Sequence, residues 1–371
     1  MVARVLDAEP LADASSAAMS PELPSIHGRG VLEEIRADLG LQPHLLRRLR
    51  NALYKHGLPA HQALALLPPA ARSAVARRTA LATLDEVGRH DSSADGASKL
   101  LLRTRAGLVV ETVVLRIRSG RSAVCVSSQV GCAVRCTFCA TGHMGIVRNL
   151  GADDIVEQVA YVGQALRAQG RRLRNVVFMG MGEPMHNRAA VEDAVARLLD
   201  PGWFALSPRH VTVSTIGVAD EIVRFVERFP EVNLALSLHA ARPEVRARLM
   251  PHARTPSLAE LRASVRTLEA LRRRPLMVEY LLLDGVNDGA DDAAALAAWC
   301  RGLAVHLNVI PYNPIDAAPA LRPSPPGRQR AFVETLRAAG FTVTTRFSLG
   351  RDIAAACGQL ARPAHEVRPS P

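Results

Sequence analysis

Three thiols in one short loop are the feature of this sequence best equipped for chemistry: GCAVRCTFCATG sets Cys132, Cys136 and Cys139 at C-x3-C-x2-C. Structural zinc asks for four ligands, often as paired C-x2-C knuckles. This chain has one C-x2-C and no H-x3-H, and Cys125, a fourth ligand by type, sits in the preceding strand-like run. Three cysteines in one loop suit an iron–sulfur cubane with one iron left open for substrate or cofactor. Zinc stays as the alternative. Cys300, inside the helical run AALAAWCRGL, reads as a core thiol packing like a small hydrophobe. Taken alone, Cys125 and Cys357 admit the same reading.

The elements that must position this loop follow from periodicity. KLLLRTRAGLVVETVVLRIRSG, over 98–118, alternates apolar and polar residues about a turn signal at Gly107, as a hairpin does. Strand-like runs follow at 123–129, 175–180, 210–216, 232–238, 276–283 and 304–310, with helical stretches at 153–168, 188–199, 219–228, 258–273 and 290–302. Six strands alternating with helices predict a parallel α/β sheet, closed or partly closed, with its active site at the strand C-terminal ends. The cysteine triplet falls directly after the first of these strands.

Ahead of the sheet, residues 26–90 read as a basic, mainly helical accessory domain, with helical spacing out to about residue 85. Residues 1–25 read as a disordered leader, 98–350 as the core with its hairpin extension, and 351–371 as a terminal segment ending in a disordered tail. The chain carries a formal net charge of +11 and a pI near 10.2, almost all from arginine. That balance suits a polyanionic partner, and equally a genome that favours arginine codons. Aromatic residues are 4% of the chain, which argues against a single-strand binder built on stacking platforms. No apolar run reaches the ~20 residues of a membrane helix, and nothing reads as a secretory signal. The expectation is a cytoplasmic, membrane-free, monomeric protein.

The blocks CVSSQVGCAVRCTFCATGHMGIVRNL, VVFMGMGEPMHN, VTVSTIGV, LALSLHA, LLLDGVND, IPYNP and DIAAACGQL occur in that order across residues 98–362. They resemble the RlmN/Cfr family of radical S-adenosylmethionine (SAM) RNA adenosine methyltransferases, and the helical N-terminal part resembles that family's accessory domain, a candidate RNA-binding element. The resemblance implies a partial (β/α)6 barrel, a [4Fe-4S] cluster on Cys132, Cys136 and Cys139, and two uses of SAM. It implies that Cys357 carries the methyl group, that Cys125 forms a transient disulfide with it, and that Glu111 accepts a proton. The interval from Glu111 to Cys125 is one residue longer than in the family, as a hairpin insertion would make it. Gly182, Glu183, Ser214, Ser237, Leu238, His239 and Asn313 fall on the family's SAM-binding positions. The implied partners are 23S rRNA, with tRNA as a second substrate, and an electron donor such as flavodoxin or ferredoxin.

FALSPRHVTVSTIGV and RFSLGRDIAAACGQL resemble the antibiotic-resistance branch, which modifies adenine C8; the housekeeping branch modifies C2. Arg242, Arg246, Arg248 and Arg254 read either as RNA-phosphate contacts or as a solvated helix face. Two readings lie outside the family. A radical SAM enzyme on a peptide or small molecule leaves Cys125, Cys357 and the basic N-terminal part without a shared purpose. A zinc-stabilised RNA-binding protein makes the triplet structural.

Overall fold

The computed structural model describes residues 23–117, 120–252, 256–272 and 274–361. The expected leader and tail therefore fall almost wholly outside the described residues. The last residues of the leader range are an exception: Pro24 accepts a hydrogen bond from Ala80 and Ser25 pairs with Ala80 as a β-bridge.

Four short helices open the described part of the chain: α1 (Val31–Asp38), α2 (Pro43–Arg50, continued by a π-helical turn to Lys55), α3 (Ala60–Leu64) and α4 (Pro69–Arg78). Prolines at the first position of α2 and α4 begin them where a missing N–H costs nothing. The helical part then ends earlier than the spacing predicts, because β1 (Leu84–Asp91) follows at once. Its sequence, LDEVGRHD, lacks alternation, and it is a sheet edge whose apolar partner is the next strand.

β2 (Ala97–Thr104) and β3 (Val109–Arg116) form the expected hairpin, and β3 pairs antiparallel with β4 (Ser122–Cys125). A separate two-stranded ribbon, β5 (Gln129–Gly131) and β6 (Ile146–Asn149), brackets the cysteine loop and its one short helix, α5 (Ala140–Met144). The helix–strand alternation then runs α6 (Ala152–Ala168), β7 (Leu173–Phe178), α7 (Arg188–Leu199), β8 (Val211–Thr215), α8 (Ala219–Arg228), β9 (Asn233–Ser237), α9 (Pro243–Leu249) and α10 (Leu258–Leu271). It closes with β10 (Leu276–Leu282), α11 (Ala290–Cys300), β11 (Val305–Pro311), α12 (Pro326–Ala338) and β12 (Val343–Thr345).

All strands but the ribbon belong to one ten-stranded sheet, ordered β1-β2-β3-β4-β7-β8-β9-β10-β11-β12, and every pairing from β4 to β12 is parallel. Its middle strands are apolar runs such as LALS and VEYLL because helices and lumen cover both faces. The helices α12 and the short β12 are additions to the periodic pattern read from the sequence. β1 and β12 do not pair, so the barrel is partial.

Residues 346–358 lie across the gap. Gly350 N–H donates to Asp95 Oδ2 at 2.7 Å, Ser92 Oγ donates to Asp352 Oδ1 at 2.8 Å, and Lys99 Nζ donates to the Ala354 carbonyl at 3.2 Å. The chain end is thereby tied to the β1–β2 hairpin.

The N-terminal helices sit on α6 and α7 through buried polar groups. Glu157 on α6 accepts from Thr83 N–H and Leu84 N–H at 2.7 and 3.1 Å, and also from the Thr83 hydroxyl. Burial raises its carboxyl to about 7 despite those bonds. Arg197 on α7 donates to the His27 carbonyl and to Asp153, while Tyr54 stacks on Trp203 with ring centres 4.7 Å apart.

One contact there leaves no room for a side chain. Gly57 has φ +59°, and a Cβ on it would lie 2.8 Å from the Gly163 carbonyl oxygen of α6. Gly170 has φ +66° with open space around it. Gly57→Ala is therefore expected to cost about 2–4 kcal/mol, backbone strain plus overpacking, and Gly170→Ala only the strain of ~1–2 kcal/mol. Urea unfolding of the two variants checks this; equal midpoints would mean the helices do not press on α6.

Candidate active site

The cysteine loop is pinched at its base. Gly131 has φ +79°, and a Cβ there would lie 1.9 Å from the Gly145 carbonyl oxygen, so only glycine lets the two ends meet. Cys132 N–H donates to that same oxygen at 2.8 Å. Thr137 N–H donates to the Leu249 carbonyl at 3.0 Å, and Phe138 sets its ring edge-on to His239 at 4.9 Å. The loop is thus fastened to the strand-end side of the barrel.

All six cysteines are free. Burial pushes the Cys132 thiol up to about 12 and raises Cys136 and Cys139, and Cys136 is raised further by the charges of the other two. Three thiols that oppose one another's ionisation in a buried loop need a cation among them to become ligands. Among the described residues no three His, Cys, Asp or Glu side chains gather as a single-ion site would gather them. A cubane demands less convergence, since each thiolate meets its own iron. The donor set fits a cluster.

Gly182, at φ +101°, turns the chain after β7 where a Cβ would strike Gln129. Its neighbour Glu183 is buried, and its oxygens accept from Met185 N–H at 2.9 Å and Ile216 N–H at 3.0 Å. This carboxylate, raised by burial and lowered again by those bonds and by Thr215, ties the β7 end to the β8 end. Lone pairs remain for a ligand ammonium.

Ser214 and Ser237, at the ends of β8 and β9, face each other at 3.2 Å. Leu238 is fully buried, and its N–H and that of His239 both donate to the Glu279 carbonyl. His239 holds φ +59° and accepts from Leu281 N–H at Nδ1, so its proton is on Nε2. Burial, and then Arg246, hold it down to about 3, which keeps it neutral.

Asn313 donates from Nδ2 to the Cys357 carbonyl at 3.1 Å and to Ser348 Oγ at 3.2 Å. The backbone around Cys357 is held to the cysteine loop as well. Ala140 N–H donates to the Gly358 carbonyl at 2.7 Å, and Thr141 Oγ1 donates to Leu360 O.

Cys125 ends β4, the strand before the loop. Burial drives its thiol up to about 12; negative charge on Cys357 would raise it further, and Arg346 opposes both. Cys125 and Cys357 carry no disulfide in the structure.

Arg346 is a site residue that the sequence reading missed. It follows β12, reaches Met179 Sδ at 3.3 Å and Glu279 Oε1 at 3.5 Å, and its charge acts on both Cys357 and Cys125. Its signal in the sequence was slight, one arginine among many. Glu111, on β3, is buried with Oε1 at 3.7 Å from Lys99 Nζ.

Arg246 departs from both readings given for the arginine group. It is buried, donates to the Ile216 and Pro256 carbonyls at 3.0 and 2.9 Å, and faces Cys136. Its guanidinium is spent on those carbonyls and does not present a phosphate-binding fork. Arg242 pairs with Glu244 and Asp292, and Arg254 lies outside the described residues.

Comparison with known proteins gives this geometry a context. Residues 126–297 match the Radical SAM superfamily. A crystal structure of a radical SAM methyltransferase from Sphaerobacter thermophilus superposes with a TM-score of 0.85 at 39% identity, covering 91% of this chain and 98% of that one. Fold, donor set and these matches define a radical SAM methyltransferase, an enzyme that works with a [4Fe-4S] cluster and S-adenosylmethionine.

Two curated relatives narrow the class. A Rhodopirellula baltica protein named probable RNA methyltransferase is 45% identical over 91% of this chain and 87% of its own length. The dual-specificity RNA methyltransferase RlmN of an Anaeromyxobacter strain is 42% identical over 92% and 91%. The chain belongs to the RlmN-type family of radical SAM RNA methyltransferases.

The pinch at the loop base gives a direct test of the cluster site. Gly131→Ala is expected to reconstitute with well under half the iron and sulfide of the parent chain under anaerobic loading, because the displaced Gly145 strand opens the loop. Full iron content in that variant would contradict the pinch.

Proposed function

We propose that this chain methylates an aromatic carbon of an adenosine, C2 or C8, in RNA, with 23S rRNA as the main substrate and tRNA as a second. The observation that carries the reading is the placement of Cys357. Its backbone is bonded to Asn313 and its neighbour Gly358 to the cysteine loop, while the charge of Arg346 acts on both it and Cys125. Cys132, Cys136 and Cys139 would hold the cluster, and Gly182, Glu183, Ser214, Ser237, Leu238 and His239 the SAM. The bound cluster supplies an electron that cleaves SAM to a carbon radical.

The chain's own residues account for the rest. C2 and C8 of adenine are electron-poor and carry no lone pair, so they cannot attack a sulfonium methyl directly. A cysteine thiolate can, and Cys357 takes the methyl first as a thioether. Loss of a hydrogen atom from that methyl to the SAM-derived radical leaves a carbon radical on Cys357, which adds to the ring. The ring proton goes to Glu111 and one electron leaves the adduct, for which the oxidised cluster would be the acceptor, so that aromaticity is restored. Cys125 thiolate then attacks the Cys357 sulfur. An S–S bond forms as the S–CH2 bond breaks, and the freed carbon takes a proton to become the methyl group. Arg346 opposes the rise that burial imposes on the Cys125 thiol. A flavodoxin or ferredoxin would supply electrons, and a thiol reductant would reset the pair in the cytoplasm.

Among the described residues no helix is long and apolar enough to cross a membrane, and the net charge of +11 suits an RNA partner. Nucleoside mass spectrometry of rRNA and tRNA from a strain expressing the chain is expected to show 2-methyladenosine or 8-methyladenosine, and which one appears decides the branch. Finding neither would contradict the proposal. Cys357→Ala is expected to abolish methylation, by at least ~1000-fold, with its iron content unchanged. Cys125→Ala is expected to build up a denaturant-stable protein–RNA adduct, since nothing then cleaves the S–CH2 bond.

A further inference from the structure

Lys99 is a nearly buried cation in the wall of the barrel, and no step above uses it. It lies on β2, where the register pairs Leu101 with Glu111 and Lys99 with Val113, so Lys99 and Glu111 are diagonal neighbours on one face of the hairpin. Its ammonium is 3.7 Å from Glu111 Oε1 and donates to the Ala354 carbonyl at 3.2 Å. Ala354 is three residues before Cys357, at φ +50°, in the loop that crosses the open gap of the sheet. One buried cation thus touches both the carboxylate and the loop that presents the carrier sulfur.

Burying an ammonium is costly unless it is paired. Here it is paired with the Glu111 carboxylate and with the Ala354 carbonyl. We propose that Lys99 is a positioning residue for the proton-transfer step: it holds the Glu111 carboxylate in register with the Cys357 loop. This rests on the reading of Glu111 as proton acceptor. The step is simple in its balance. The ring C–H bond of the Cys357-linked adduct breaks, its electron pair stays in the ring, and the proton goes to a Glu111 oxygen. A cation 3.7 Å away fixes where that carboxylate stands relative to the loop.

The test uses the full chain loaded with cluster, in four variants: Lys99→Met, Lys99→Arg, Glu111→Gln, and the charge-free double variant Lys99→Met with Glu111→Gln. Three quantities are read: methylation of Cys357 by intact-protein mass, the denaturant-stable RNA adduct on a gel, and methyladenosine formed. Lys99→Met is expected to methylate Cys357 normally, to accumulate adduct as Glu111→Gln does, and to form product at least ~10-fold more slowly. Lys99→Arg is expected to restore product. The double variant, which buries no lone charge, is expected to fold and to stall at the adduct even if Lys99→Met alone does not fold.

Wild-type product formation by Lys99→Met overturns the inference while leaving Glu111 in place, provided Glu111→Gln still stalls. Loss of Cys357 methylation and of adduct together, in Lys99→Met or in the double variant, also overturns it, since that marks a purely structural role. Normal turnover by Glu111→Gln removes the proton-acceptor reading itself, and this inference with it.

Discussion

Everything at the mouth of this barrel depends on the sheet being left open. Ten strands follow one another with β1 and β12 as free edges, and unpaired edges need covering. The covering segment here is the loop 346–358, bonded to Asp95, Ser92 and Lys99 on the hairpin side and to Asn313 on the other. A closed barrel would leave no such segment spanning the opening. Because the gap is bridged by the last described loop, Cys357 comes from the far end of the chain to lie over a cysteine loop more than two hundred residues earlier.

Electrostatics then separate two groups of thiols that are alike in sequence. Cys132, Cys136 and Cys139 sit in burial that resists their ionisation, with Arg246 as the neighbouring cation acting on Cys136. Such thiols become thiolates when a metal compensates them. Cys125 is equally buried, and there the guanidinium of Arg346 opposes the rise that burial imposes on its thiol. Glu279 anchors that guanidinium at 3.5 Å. In the proposed reaction the first set would ligate the cluster and the second would carry out the nucleophilic exchange.

Much of this was legible in the sequence. The strands read at 175–180, 210–216, 232–238, 276–283 and 304–310 each coincide with a strand to within a few residues, since buried parallel strands announce themselves as apolar runs. β1 was missed because an edge strand such as LDEVGRHD carries no apolar alternation, and β12 because three residues are too few for a period. The cysteines were readable from spacing and surrounding blocks. Arg346, Lys99 and the true setting of Arg246 were not, because arginines and lysines are plentiful on the surface and only tertiary structure shows which are buried. The same limit applied to the docking of the N-terminal part: its basic amphipathic pattern does not show that Arg197 of α7 bonds the His27 carbonyl or that Tyr54 stacks on Trp203.

The central claim is that Cys357, and no other atom of the enzyme, carries the carbon between SAM and RNA. Supplying SAM with a trideuterated methyl group, then following the label by mass spectrometry on both protein and RNA, tests it most directly. The account predicts that deuterium appears first on the peptide containing Cys357, and that the methyl later found on adenosine has lost one deuterium through hydrogen-atom abstraction. A fully trideuterated methyl on the nucleoside, with no label passing through Cys357, would contradict it.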